Sequence, residues 1–565
     1  MRARLAFLLT VALILASCGA SSTASPSTVP EPTAAPSAIA TAPGPSTSAP
    51  TAIATPGTAG HWESAGDLAA GRAVPHVVRV GDGGVLVVGN DDCGYDLLDW
   101  GPFGCTCACI RIDSRIVEAW SPSSRRWTTV GPLSAPRADL AVVALADGRV
   151  LATGGVQELA GKDPERPWLA EEHHASLART SIFDPGTGHW TRVGDMTTPR
   201  TAPIAAVLQD GRVLVAGGYD LDAPTGPWTH SPGGLAPGAA TYAAYRSTRL
   251  ETAGSVGILA NVTPGGPNVP VLATAELYDP VTDTWSATGP LRLARFGDAA
   301  ITLTDGRVLV VPDVRNLNTM MGDFGWDRRP AVEHELAQTV TEVYDPRTGR
   351  FSVAGEIPPI DWSPLTALGY KDIDGRDVYA GSLVALGDGS ALLVGRSTYW
   401  GDWVETEVGG GATGWGYYVR TFRFDPSNNT WSEVDRSVLV DRDLEDADGT
   451  TEQVATGHLL PGAVAAGLAD GRVLVAGGIR SAPGYYDGAG ALASEEAAIY
   501  DPVADTWATL PSLPMPRFGG AAIALVDGSI VLVGGSTERA RPGSPDDCGS
   551  GATGIASTIR FVPGP

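Results

Sequence analysis

Nine residues, Asp470-Gly471-Arg472-Val473-Leu474-Val475-Ala476-Gly477-Gly478, are rewritten along the chain in near-copies that begin at Asp82, Asp147, Asp210, Asp305, Asp388 and Asp527. Each copy is an Asp-Gly turn, an apolar β-rich run and, in most cases, a closing pair of glycines. Asp-Gly suits a two-residue hairpin, because Gly accepts positive φ freely and Asp accepts it better than most residues. Seven hairpins of one kind constrain the fold more than any other feature of the chain. With 71 Gly, 44 Pro and little helical periodicity, the sequence predicts a turn-rich all-β protein.

Each unit supplies four short strands. One apolar stretch precedes the Asp-Gly, as in Gly297-Asp298-Ala299-Ala300-Ile301-Thr302-Leu303, and the run after the turn is the second. A third strand ends in Asp-Pro, as in Glu276-Leu277-Tyr278-Asp279-Pro280, and an aromatic residue opens the fourth. Those aromatics are Trp62, Trp127, Trp190, Trp285, Phe351, Trp431 and Trp507. Four strands repeated seven times predict a seven-bladed β-propeller of four-stranded antiparallel blades. Trp62 precedes the first turn, and the last third strand, ending at Phe561-Val562-Pro563, has no Trp after it. The N-terminal strand around His61-Trp62-Glu63-Ser64 is therefore expected to complete the seventh blade and close the ring.

Paired Gly after strand two, Tyr-Asp-Pro on strand three and Trp on strand four resemble the kelch repeat, over about residues 61–563. The resemblance implies a β-propeller like the central domain of galactose oxidase. Departures are local. Pro312-Asp313 replaces Gly-Gly in blade four, blade five keeps only Gly395, and Ser121-Pro122 and Val562-Pro563 replace Asp-Pro in blades one and seven.

In an up-and-down blade the Asp-Gly and Asp-Pro turns share one rim. The loops between strands two and three, and the blade-to-blade connections, share the other. The long insertions fall on that second rim, at about residues 90–109, 156–178, 219–272, 313–338, 396–419, 479–494 and 536–556. Long loops on one side of a rigid scaffold are the default binding face. Trp228, Trp326, Trp400, Trp403 and Trp415 lie in these insertions, where they could stack on sugar faces, anchor a peptide, or pack as private cores of their loops. Ten residues before the turn Asp stand Arg72, Arg137, Arg200, Arg295 and Arg517, with Val378 and Leu460 in blades five and six. They could form a cationic collar at the channel mouth, holding a carboxylate, an acidic sugar or an anion. The kelch pattern implies the other reading, in which these arginines are structural and pair with carboxylates.

Lys+Arg 39 against Asp+Glu 63 gives a net charge of −24, which argues against nucleic acid and against docking of the body on anionic lipid. Arg2 and Arg4 precede an apolar run from Leu5 to Leu15, the pattern of an export signal. Leu15-Ala16-Ser17-Cys18 resembles the bacterial lipobox, which implies lipidation of Cys18; an ordinary signal peptide cut near Ala20 is the alternative. Residues 1–18 are thus expected to be a signal, 19–60 a disordered stalk rich in Ser, Thr, Pro and Ala, and 61–565 the propeller.

An exported protein oxidises its thiols, so Cys93, Cys105, Cys107, Cys109 and Cys548 are disulfide candidates. Ring closure brings the Cys548 loop beside the blade-one loop, and five is odd, so one thiol could stay free. No catalytic residue is assigned. A copper radical oxidase of the galactose-oxidase kind needs Tyr and His ligands, and the eight His here are scattered. A mutarotase- or epimerase-like sugar enzyme, with a carboxylate near an arginine at the channel mouth, is the remaining enzymatic alternative. No metal or other cofactor is expected, although residues 441–448 and Asp372-x-Asp374-Gly375-x-Asp377 could hold Ca²⁺ without meeting EF-hand spacing. The expectation is a monomeric, lipid-anchored propeller outside the cytoplasmic membrane. It would recognise glycan or protein through its long-insertion rim, touch membrane only through the lipid, and bind no nucleic acid.

Overall fold

The computed structural model describes residues 60–72, 75–81, 83–89, 115–135, 137, 139–159, 173–220, 271–296, 299–312, 339–367, 373–379, 381–406, 409–442, 452–481, 492–537 and 554–564. Within them the chain is all β, with one short helix at Ser363–Ala367. Seven antiparallel sheets follow one another around a ring, and each runs one-two-three-four from the centre outward. Blade three is representative: Ile204–Val207, Val213–Ala216, Ala275–Asp279 and Thr284–Thr288 pair in that order. Adjacent innermost strands touch all the way round, including Ala521–Ala524 of blade seven with His76–Arg79 of blade one.

The ring closes as the phase of the repeat requires. His61–Arg72 is the outer strand of blade seven, with Trp62 opposite Phe561 and Glu63 opposite Arg560. Every strand-four aromatic faces a strand-three aromatic in register, and six of these pairs have ring centroids 4.9–5.3 Å apart. Such tilted pairs add about 0.5–1.5 kcal/mol beyond the area they bury. Several indoles also reach back to the preceding blade: Trp62 donates to the Pro511 carbonyl, Trp127 to Thr558 Oγ1, Trp285 to the Gly194 carbonyl and Trp431 to Thr341 Oγ1.

Strand two is buried on both faces because it sits mid-sheet between neighbouring blades. Val213, Leu214, Val215 and Ala216 are all essentially inaccessible. The core is accordingly a set of inter-blade layers, such as Leu151 and Ile182 of blade two against Val213, Val215 and Tyr278 of blade three. Full burial of each such side chain stabilises by about 1.5–3 kcal/mol.

The Asp-Gly turns differ from the two-residue hairpin that their sequence suggests. In each, the residue before the turn donates to the carbonyl beyond it and the turn Gly donates back, as in Leu468 to Arg472 and Gly471 to Leu468. This is a three-residue loop, a type I turn followed by a left-handed Gly. The turn Gly has positive φ, +84° to +92° in all seven turns. The Asp instead accepts from the backbone two residues on, as Asp470 does from Arg472 N. In the six turns whose Asp is described, its other oxygen takes a guanidinium. Asp147, Asp210, Asp305 and Asp470 pair with Arg149, Arg212, Arg307 and Arg472. Where Ser390 and Ser529 replace that arginine, strand three supplies Arg423 to Asp388 and Arg560 to Asp527.

At Asp210, Asp305, Asp388, Asp470 and Asp527 these pairs hold the turn carboxyl below the ordinary aspartate value. At Asp210 the Arg212 bond is the main cause. At Asp305 and Asp470 partial burial pulls upward, and the bonds from Arg307 and Arg472 outweigh it. A carboxylate depressed in the folded state contributes stability above its unfolded value and loses it as pH falls through the folded one. The thermal midpoint should therefore fall as pH is lowered below about 3.8 and be insensitive to these turns above it. Calorimetry from pH 2 to 6 measures this.

Candidate functional site

The rim opposite the tight turns carries the insertions, and its scaffold is built from the arginine register. All five arginines are at most 2% exposed. Each lies where the chain passes between blades, and Arg72, Arg200, Arg295 and Arg517 bind in both directions. The Arg200 carbonyl accepts from Gly155 N of blade two, while its guanidinium donates to the Gly217 and Thr274 carbonyls of blade three. Arg517 repeats this between Gly478 and the Gly534 and Ser557 carbonyls, and Arg72 between Gly535 and the Gly89 and Ile116 carbonyls. The Arg295 carbonyl accepts from Gly218 N, and its guanidinium donates to the Val340 carbonyl. Arg137 reaches the Gly154 and Arg179 carbonyls of its own blade.

Three of these guanidiniums also meet a buried carboxylate two residues before the strand-three aromatic. Arg72 pairs with Glu118 at 3.0 Å, Arg200 with Glu276 at 3.1 Å and Arg295 with Glu342 at 3.0 Å. The glutamates in turn accept backbone N–H groups of an inter-blade segment: Ala69, Thr197 and Thr198, and Arg292 and Leu293. Burial lowers the Arg137 guanidinium to about 10, with Arg179 adding and Asp195 opposing, and burial lowers Arg517 to about 10. Both remain cationic at neutral pH, held by carbonyl dipoles. The anion-holding collar therefore gives way to the structural reading: these side chains tie blade to blade and present no guanidinium to a ligand. The glutamates were legible only as Glu-x-Trp or Glu-x-Tyr in three of seven blades.

The ties explain the paired glycines. A Cβ on Gly154 would lie 2.7 Å from the Arg200 carbonyl oxygen, and on Gly217, Gly477 and Gly534 closer still to the equivalent arginine oxygen. The second glycine of each pair supplies the N–H that this oxygen accepts. Two positions after the arginine the backbone is left-handed at Asp139, Ala202 and Gly519, and Gly462 follows Leu460 in the same way. Ala202 N donates to the Asp139 carbonyl and Gly519 N to the Gly462 carbonyl, so neighbouring blades are also stitched at the channel mouth. The innermost strands themselves carry mostly Ala, Val, Ile, Leu and Gly, as in Ala141–Ala144, Val464–Gly467 and Ala521–Ala524.

Blade five departs from this scheme. Val378 and Leu460 replace the arginine on either side of it, so both of its seams lack the tie. Other bonds serve instead: Arg420 donates to the Pro358 carbonyl, Tyr418 to the Asp361 carbonyl, and Leu459 N to Ser437 Oγ. Its second and third strands, Ala391–Thr406 and Gly409–Asp425, run on as one hairpin where the sequence suggested a loop. Trp400 lies opposite Gly375 and Gly416, Trp403 opposite Ala412, and Trp415 opposite Gly401 and Asp441. Ile373–Tyr379 and Glu452–Thr456 add edge strands, widening the blade to a six-stranded sheet. Trp362 and Leu365 pack on its base at Tyr418 and Val438. The glycine-rich stretch at 409–416 concealed this, because its residues carry neither strand propensity nor alternation.

Among the described residues, two carboxyls are pushed upward. Burial raises Glu342, against Arg295 and two backbone donors, and burial raises Asp435, which lies at the seam of blades five and six and bonds the Trp507 side chain. Neither belongs to a carboxyl pair at the channel mouth. Among the described residues no group of three His, Cys, Asp or Glu could hold a metal ion, and no helix is long and apolar enough to cross a membrane. Asp374 and Asp377 lie on the edge strand Ile373–Tyr379. Trp228, Trp326, Cys18, Cys93, Cys105, Cys107, Cys109 and Cys548 lie outside the described residues, as do the signal and nearly all of the stalk.

No family model matches the chain. Beta-scruin of Limulus polyphemus is 28% identical over 200 residues, 33% of this chain and 20% of that protein. Alpha-scruin of the same animal is 26% identical over 199 residues, again 33% and 20%. The chain thus spans about a fifth of the length of the curated relatives it matches. Among solved structures, YjhT is similar over 87% of this chain and 96% of its own, at 12% identity and a TM-score of 0.37.

Proposed function

From a seven-bladed kelch-type β-propeller whose insertions share one rim, we propose an extracytoplasmic, lipid-anchored recognition module that binds a protein partner through that rim. The observation that carries the reading is blade five. It gives up the arginine tie at both seams and extends its middle strands to 16 and 17 residues, well past the four of a typical strand here. A propeller gains nothing in closure from such an extension, whereas a broad sheet on a rim offers contact area to a partner. The arginine motif, one of the candidate ligand sites, is occupied with its own carbonyls and glutamates. Export and anchoring rest on Leu15-Ala16-Ser17-Cys18 and the basic, then apolar, residues before it.

A second reading, glycan recognition, draws on Trp400, Trp403 and Trp415, three flat rings on one hairpin. One variant tests both. Residues 399–416 are replaced by a two-residue turn, and binding is read on a glycan array and against fractionated envelope and secreted proteins. The trimmed chain should keep cooperative unfolding, since the inter-blade core is untouched, and lose at least about tenfold in affinity for whatever the full chain binds. Undiminished binding by the trimmed chain overturns the reading.

A further inference from the structure

The direction of the closing strand decides which way the propeller faces. His61 lies opposite Val562, at the end of strand three where the Asp-Pro-type turn would follow. Arg72, at the other end of the same strand, ties blade seven to blade one on the insertion rim. The chain therefore enters the body on the tight-turn rim. The entry is pinned: a Cβ on Gly60, at φ +100°, would lie 2.6 Å from the Phe561 ring and from the Val562 carbonyl oxygen. We infer that the tight-turn rim is the face turned toward the anchoring lipid surface, so that the insertion rim is presented away from it. The inference rests on the lipid-anchor reading and adds to it the identity of the membrane-facing surface.

One further feature fits that surface to a neutral or zwitterionic lipid. Six Asp-Gly carboxylates on this rim are matched by guanidiniums at contact distance, and Asp345 by Arg347. Asp184, Asp279, Asp425 and Asp501 of the Asp-Pro turns accept backbone N–H groups of their own turns and meet no guanidinium among the described residues, so anionic headgroups would be repelled. The most exposed large hydrophobics among the described residues also stand here: Val281 at 91% and Val503 at 94% on Asp-Pro turns, and Val526 on an Asp-Gly turn. About forty residues separate Cys18 from this point of entry.

The test uses the full lipidated chain on vesicles. Val503→Cys and Glu495→Cys mark the two ends of strand three of blade six, separated by about 20 Å along the strand. Both residues are exposed, so neither change disturbs packing. Each is labelled with a donor fluorophore, with wild type labelled in parallel for the background of native cysteines, and energy transfer to a headgroup acceptor is measured. Transfer should be at least twofold higher from position 503. Equal transfer, or more from 495, overturns the orientation. Flotation separates the two claims: the full chain should float with vesicles and Cys18→Ala should not. If the two chains float alike, or neither floats, the anchor reading fails and the orientation with it.

Discussion

Arg295→Leu is expected to destabilise the protein by about 3–5 kcal/mol, because it leaves Glu342 ionised and without its guanidinium at zero exposure. Urea unfolding at pH 7 measures the loss. The double variant Arg295→Leu/Glu342→Leu should recover about half of it. The remainder reflects the Arg292 and Leu293 N–H groups that Glu342 accepts, and the Val340 carbonyl that Arg295 serves. The single variant should also show a distinctive pH dependence. Burial already raises Glu342 above its ordinary value in the intact chain, against the pull of Arg295. A carboxyl raised in the folded state takes up protons there before the unfolded chain does, so stability falls as pH rises through the interval above about 4.5. Without Arg295 that interval widens, and the deficit should shrink as pH is lowered toward 4.5. A deficit constant between pH 4.5 and 8 would mean that Glu342 is not the residue left stranded.

Two glycines of the repeated motif should answer the same substitution very differently. Gly471→Ala places a Cβ in open space at φ +88°, and should cost only the left-handed penalty, about 1–2 kcal/mol. Gly477→Ala meets that penalty at φ +73° and also drives its Cβ onto the Arg517 carbonyl oxygen. The oxygen must move, and the bond it accepts from Gly478 N goes with it. A loss of about 3 kcal/mol or more is expected, carried by the seam between blades six and seven. Comparable costs at the two positions, in parallel denaturant titrations, would show that the paired glycines are there for turn geometry rather than for inter-blade contact.

The contrast between those positions marks how far the sequence could be read. Blade number and strand order were legible because each depends on residues close together in the chain, a turn pair, an apolar run, an aromatic seven residues after another, and closure through Trp62 followed from the phase of that repeat. The turn type was not, since Asp-Gly fits both a two-residue loop and the longer one, and the bond from Leu468 to Arg472 chooses between them. The blade-five hairpin was hidden by glycines at 409–411, 414 and 416, which become a strand only because residues 391–406 and 430–442 lie on either side.

The arginines show the same division. Their spacing from the turn Asp was plain, and so was the rim on which they sit. Whether they face a ligand or the interior depended on partners distant in sequence: Glu118 for Arg72, Glu276 for Arg200, and glycine carbonyls 17 residues on. Sequence alone determined the architecture, because turn chemistry and strand alternation act locally and repeat. Only the tertiary structure decided what the repeated residues are for. A guanidinium at a fixed point on a rim can serve either solvent or core, and the choice is made by the dipoles and carboxylates that folding brings against it.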